Sequence, residues 1–308
     1  MRSVVCAYGA VGHACLEALL EEGAEVGLVL SHEDVPGEKI WFQSVAELAR
    51  AHGVEVMLPA DVNAPEVLAA VSAVEPDFLF SFYFRQMMGR PLLESATRGA
   101  LNLHGSFLPR YRGRAPVNWV LVHGETETGV TLHYMDEKPD HGDIVLQSRI
   151  PIGPEDTALV LTHRMAEAAA ALVREAYPLL ETGQAPRRPQ DHVRSTYFGG
   201  RRPEDGRLVW DRPAESLRNL VRAVTAPWPG AFTSYQGSRL LVWKADVRSG
   251  RAAPGQILLD PDGVPLVGTA TDLLELCEVG WRDSPGQSGA GWVREAGVPH
   301  GARFDGWP

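Results

Sequence analysis

Short apolar runs and longer amphipathic runs take turns along the first 183 residues of the chain. Residues 3–8 are largely apolar and read as a buried strand, while residues 11–22 place Val11, Cys15, Leu16, Leu19 and Leu20 at helical spacing. A second strand follows at 26–31, then a helix at 43–52, an extended run at 54–58 and a helix at 65–74. Phe78-Leu79-Phe80-Ser81-Phe82 reads as a further strand whose start is marked by the turn pair Pro76-Asp77. Strands alternating with helices predict an α/β fold with a mostly parallel sheet, whose ligands sit beyond the carboxyl ends of the strands.

From Ala100 the pattern changes to strict alternation. Ala100-Leu101-Asn102-Leu103-His104 puts Asn102 and His104 on one face of a strand and Leu101 and Leu103 on the other. The loop that follows holds Arg110, Arg112 and Arg114 and ends at Pro116, a residue suited to the first position of a helix. Strand-like runs at 129–135 and 144–150 flank a polar loop with four acids, Asp136, Glu137, Asp140 and Asp143, and a long helix spans about 157–182. Residues 184–206 are rich in glycine, proline and arginine and read as a linker. Beyond it, runs at 239–243, 255–259 and 272–276 separated by turns predict a small β domain. The expected division is therefore 1–183, a linker at 184–206, and 207–308.

Composition narrows the partners. Net charge is −10, with no lasting basic block, which argues against a nucleic-acid partner because phosphate binding is driven by clustered Lys and Arg. Cys6, Cys15 and Cys277 show neither disulfide nor metal spacing and suit a reduced, cytoplasmic setting; the histidines show no metal-ligand spacing either. The start of the chain does not read as a signal peptide, and no run of 18 apolar residues suggests a membrane span. Trp41, Trp119, Trp210, Trp228 and Trp243 read as core anchors. The turn Gly9-Ala10-Val11-Gly12 lacks the full dinucleotide spacing, which counts against a nicotinamide-dependent oxidoreductase.

The chemistry points to Asn102 and His104. An amide can donate to a developing oxyanion while a neighbouring imidazole moves a proton, a pairing suited to acyl transfer. The imidazole then needs a carboxylate partner, and spacing does not choose among the four acids of the 136–143 loop.

Asn102-Leu103-His104 followed by Gly105-Ser106-Phe107-Leu108-Pro109 resembles the folate-dependent formyltransferases, whose signature is an N-x-H pair, an S-L-L-P loop and a distant aspartate. Phe80 to Tyr83, Tyr111 to Trp119, Gly124 to His133 and Pro227 to Phe232 are similar to the branch of that family acting on UDP-4-amino-4-deoxy-L-arabinose, a step in lipid A modification and polymyxin resistance. The resemblance covers nearly all of the chain. It implies a Rossmann-like catalytic domain, an OB-like C-terminal domain, 10-formyltetrahydrofolate as formyl donor and no metal. It carries the transition-state amide onto Asn102, the proton-transferring histidine onto His104 and the aspartate that raises its pKa onto Asp140. Donor contacts fall on Gln86, Met87, Met88, Arg114 and the run Asp136, Glu137, Lys138, Pro139 and Asp140; contacts to the amino sugar fall on Ser81, Tyr83, Asn118 and Arg201. A small-molecule nucleotide sugar is the implied partner, and a homo-oligomer is compatible with it. Methionyl-tRNA formyltransferases share fold, donor and trio, but usually show R-G-A-A-P followed by glutamine where this chain has Arg112-Gly113-Arg114-Ala115-Pro116 followed by Val117 and Asn118.

Overall fold

The computed structural model describes residues 1–34, 37, 39–281 and 286–306. Two compact units form: Met1–Pro116, Thr126–Ile152 and Val160–Gly199 make the first, and Val117–Glu125, Gly153–Leu159 and Gly200–Pro308 the second.

The first unit opens with strand β1 (Arg2–Ala7), helix α1 (Gly9–Glu21), β2 (Glu25–Leu30), α2 (Val45–Ala51), β3 (Glu55–Met57), α3 (Pro65–Val74), β4 (Phe78–Phe82), α4 (Arg90–Leu93) and β5 (Gly99–His104). After a short strand β6 (Arg112–Gly113), and past helix α5 (Pro116–Val122), which belongs almost wholly to the second unit, come β7 (Glu127–Tyr134), β8 (Ile144–Pro151), the long helix α6 (Ala158–Glu181) and β9 (Tyr197–Phe198). Seven strands make one sheet in the order β3-β2-β1-β4-β5-β7-β8, parallel as far as β5 and antiparallel through β7 and β8. The parallel strands are buried on both faces, so β4 is apolar almost throughout; Val4, Cys6, Leu28, Leu30 and Leu79 join Val67, Val71 and Leu92 in one core. Gly12 is explained by packing: a Cβ there would lie 2.9 Å from the Phe82 carbonyl, so its absence lets α1 approach the sheet.

The expected linker differs from what forms. Residues 184–199 belong to the first unit, where Arg188 bridges to Ile144 and β9 lies parallel to β6. Turn-forming residues there carry no hydrophobic period, yet their backbone groups find partners far away in sequence.

The second unit holds α7 (Ala214–Val224), β10 (Ala231–Tyr235), β11 (Ser238–Arg248), β12 (Ile257–Leu259), β13 (Pro265–Gly268), β14 (Leu273–Trp281), β15 (Gln287–Ser288) and α8 (Gly289–Ala296). Its sheet runs β10-β11-β14-β13-β12, with β15 on β14, and every pairing is antiparallel. Trp210, Trp292 and Phe304 are its fully buried rings. Of the tryptophans expected as core anchors, Trp41, Trp119, Trp228 and Trp243 are only half-buried, because their rings also serve contacts near the surface. Among the described residues no helix is long and apolar enough to cross a membrane.

Candidate active site

β5 keeps the alternation read from its sequence, with Leu101 and Leu103 on the apolar face at 0% and 1% exposure. Register then arranges the other face. Parallel pairing sets Ser81 of β4 beside Asn102, and antiparallel pairing sets His133 of β7 on its far side, so a polar row crosses three strands. Thr131 lies opposite His104; its Oγ1 donates to the Ser106 carbonyl at 2.7 Å and accepts from Leu108 N–H at 3.2 Å, pinning the loop after β5.

The loop between β7 and β8 brings in the carboxylate. Asp140 has φ 54°, and its Oδ1 lies 3.3 Å from His104 Nδ1 and 3.7 Å from His133 Nε2, while accepting from Asn102 Nδ2 at 3.4 Å. Its Oδ2 accepts from Gly113 N–H at 2.7 Å. The three other acids of the loop are elsewhere: Asp136 faces His141 at 2.6 Å, Asp143 faces Arg187 at 3.1 Å, and Glu137 is exposed. Burial alone would push the Asp140 carboxyl up, but His104 and the Gly113 N–H outweigh it and hold it at about 2.

Hydrogen bonds orient the rest. His104 Nε2 donates to the Tyr111 carbonyl at 2.7 Å, so both ring nitrogens face oxygen acceptors. His133 Nδ1 donates to the Tyr134 carbonyl at 2.7 Å, which leaves the Nε2 lone pair to accept from Asn102 Nδ2 at 3.2 Å. One amide hydrogen of Asn102 is thereby held by His133. The other is turned toward Asp140 over a long distance that a stronger acceptor can win.

His133 is the residue that sequence reasoning missed as a member of this cluster. Its signal was the period-two alternation Thr131-Leu132-His133, but only strand register shows that it faces Asn102. Backbone strain marks the same place. Tyr83, Tyr111, Ala115 and Asp140 all have positive φ, and they sit in the segments leaving β4, β5 and β7, around the polar row. Gly105 fits that crowding, because a Cβ there would collide with the Tyr83 hydroxyl.

The residues assigned to the donor are divided. Gln86 Oε1 accepts from Val62 N–H at 2.8 Å and Nε2 donates to the Ala60 carbonyl at 3.2 Å, so its side chain braces the 59–62 loop and is not turned to a ligand. Met88 is part of the core and Met87 is 61% exposed. The exposed Met87 side chain and backbone groups of that segment remain for binding. Arg114 reaches the Arg85 carbonyl at 3.4 Å. Asp136, Glu137 and Lys138 line a cavity of about 590 Å³ with Arg90, Tyr134 and Arg187, beside the start of β5. The trio does not line this cavity; Asn102 and His104 lie two and four residues beyond Ala100 along β5, and Asp140 two residues beyond Lys138 in the loop after β7.

The residues assigned to the sugar divide as well. Ser81 is buried in the polar row, and the Tyr83 hydroxyl donates to Met165 Sδ at 3.7 Å. In the second unit, Asn118 is buried and its Nδ2 donates to the Ala223 carbonyl at 2.6 Å, joining α5 to α7, so the assignment to substrate is replaced by a structural one. Arg201 stacks over Trp119 at 4.6 Å and donates to the Asp205 carbonyl at 3.0 Å. Among the described residues no cluster of His, Cys, Asp or Glu could hold a metal ion.

A doubly wound sheet that carries a partly buried amide, an imidazole and a carboxylate together, with a cavity of ligand size in the same unit, defines an α/β fold fitted to a small-molecule ligand. The family comparison makes this specific. Residues 1–177 match the formyl transferase family and residues 201–296 the formyl transferase C-terminal domain, so the chain belongs to the formyl transferase family.

Solved structures share the fold. The N-formyltransferase from Helicobacter canadensis in complex with folinic acid and dTDP-3-aminofucose is 18% identical with a TM-score of 0.68, covering 89% of this chain and 98% of that one. WlaRD, a sugar 3N-formyl transferase solved with dTDP and 5-N-formyl-THF, is 16% identical with a TM-score of 0.69, over 92% of this chain and 99% of that one. HypX from Aquifex aeolicus, in complex with tetrahydrofolic acid, is 19% identical with a TM-score of 0.65; it covers 96% of this chain, which spans only 47% of HypX.

Proposed function

We propose that the chain transfers the formyl group of 10-formyltetrahydrofolate to the amine of a nucleotide-linked amino sugar, UDP-4-amino-4-deoxy-L-arabinose being the favoured acceptor. The observation that carries this reading is the meeting of Asn102, His104 and Asp140 within 3.4 Å around one carboxylate oxygen. Similar folds in a protein solved with folinic acid and dTDP-3-aminofucose and in another solved with dTDP and 5-N-formyl-THF support it. The net charge of −10 and the Arg114 to Trp119 stretch favour a small acceptor over tRNA.

The uncharged amine attacks the formyl carbon, forming a C–N bond and a tetrahedral oxyanion. Asn102 turns its long-bonded amide hydrogen from Asp140 to that oxygen. Collapse breaks the bond from carbon to the folate nitrogen, which takes up a proton as the former amine loses one. His104 exchanges protons through Nδ1, since Nε2 is engaged by the Tyr111 carbonyl, and Asp140 stabilises the imidazolium form. In this reading the folate body takes the cavity beside Asp136 to Lys138, and the cavity's size, in the usual range for ligand pockets, supports that assignment.

The test is to incubate the protein with 10-formyltetrahydrofolate and a panel of nucleotide amino sugars plus charged initiator tRNA, and to find by mass spectrometry which acceptor gains one formyl group. Formylation of a sugar is expected, with Asn102→Ala slowing it by about 100 to 1,000-fold. Formylation of tRNA alone, or no loss of rate in Asn102→Ala, overturns the reading.

A further inference from the structure

Asp140 works from an unfavourable backbone conformation, and something must hold it there. A non-glycine residue at φ 54° is disfavoured, though less for aspartate than for most residues, and keeps that conformation where its surroundings fix it. Two grips are visible. The first is the Gly113 N–H, 2.7 Å from the carboxylate. The second comes from Gln190, in the segment whose composition reads as a linker.

Gln190 is 6% exposed, and each polar atom of its amide has a partner. Nε2 donates to the Asp140 carbonyl at 3.0 Å and to the Gly142 carbonyl at 2.8 Å, so one side chain spans both sides of His141. Oε1 accepts from the Arg112 guanidinium at 2.6 Å, and that guanidinium also donates to His192 Nδ1 at 2.9 Å. Arg112 is the residue before Gly113, and its backbone N–H is tied to the Thr196 carbonyl at 2.9 Å. Both grips on Asp140 therefore start from the same two residues, Arg112 and Gly113, locked against the 190–198 segment.

We propose that Gln190 is a positioning residue of the formyl transfer: by holding the Asp140 and Gly142 carbonyls against Arg112, it keeps the Asp140 carboxylate in reach of His104 and Asn102. Released from it, the loop relaxes toward ordinary φ values and carries the carboxylate off its partners. Displacement of about 1 Å in a reacting group is enough to slow a reaction about 100-fold. The inference rests on the proposed role of Asp140 in the reaction, and the experiment separates the two.

Gln190→Ala removes every contact, whereas Gln190→Glu has the same shape and still accepts from Arg112 but offers oxygen to two carbonyls. Initial rates are measured with 10-formyltetrahydrofolate and UDP-4-amino-4-deoxy-L-arabinose for the unaltered protein, Q190A, Q190E, D140N and D140N/Q190E, with circular dichroism and Tm recorded for each. Both Gln190 variants are expected to lose about 10- to 100-fold in kcat with KM changed by less than about 3-fold, and Q190E to add less than about 3-fold in the D140N background. Should Q190A prove unfolded, the isosteric Q190E and its double variant decide the matter. Wild-type kcat in Q190E, or a full further loss in D140N/Q190E, overturns the inference while D140N remains impaired. If D140N is as active as the unaltered protein, or the unaltered protein transfers nothing, the functional reading fails and this inference falls with it.

Discussion

Asn102, His104 and His133 surround one oxygen of Asp140 within 3.7 Å, whereas Trp210, Trp292, Tyr235 and Phe304 of the second unit surround one another. Both clusters are buried, and both gather residues distant in sequence. In the aromatic cluster the ring centroids of Trp210 and Phe304 are 5.2 Å apart and those of Trp292 and Phe304 6.0 Å, close contacts that need no unusual backbone at these four positions. The polar cluster is assembled with positive φ at Asp140 and at Tyr111, whose carbonyl receives the His104 proton. Apolar burial is non-directional, so it tolerates regular backbone. A carboxylate that must meet three side chains and a backbone N–H is directional, and the chain departs from regular backbone to supply it.

That contrast can be broken from either side. The largest effect is expected at the polar cluster: His104→Ala should lower the rate of formyl transfer by about 100 to 10,000-fold with little change in Tm, measured by steady-state kinetics and thermal melting. A matching fall in Tm would show that the cluster is structural. Trp292→Ala should behave the opposite way, destabilising the protein by about 3–5 kcal/mol in urea unfolding because a fully buried ring leaves a cavity.

Acid sharpens the comparison next. Asp140, held at about 2 against an ordinary 3.8, binds its proton more weakly folded than unfolded. The stabilisation it gives is complete above about pH 4 and is lost as the pH falls toward 2, amounting to roughly 2 kcal/mol. Urea midpoints taken between pH 5 and pH 2.5 should therefore fall more steeply for the unaltered protein than for Asp140→Asn, and parallel curves would remove Asp140 as the source. The smallest effect belongs to Val193, which lies in the same segment as Gln190 but is 95% exposed. Val193→Ala should leave both Tm and kcat unchanged, within about 0.5 kcal/mol; a clear loss would mean that the segment acts as a whole and not through Gln190.

Much of the first unit was legible because parallel strands buried on both faces must be apolar, and the strands at 3–8, 26–31 and 78–82 announce themselves that way. The amphipathic α7 has Leu217, Leu220, Val221 and Val224 at helical spacing, but the turn formers on either side of it mask that period. The 184–199 segment was harder. It pairs two short strands and places Gln190 through contacts 48 to 78 residues away in sequence, so no local period records them. Gln86 shows the opposite limit: its residue type suited a ligand, and only coordinates reveal that its amide braces the 59–62 loop.

By itself the sequence determined the alternation of β5, hence that Asn102 and His104 share a face, because strand geometry turns spacing of two into common direction. It also offered four acids in one short polar loop, among which the family resemblance selects Asp140. How that acid is presented, and with what helpers, was decided by tertiary structure: the β5–β7 register that sets His133 against Asn102, and the left-handed turn that sends Asp140 inward while Asp136 and Asp143 pair elsewhere. Contacts of that kind depend on distances through space between segments joined by long loops, and residue spacing along a chain carries no measure of them.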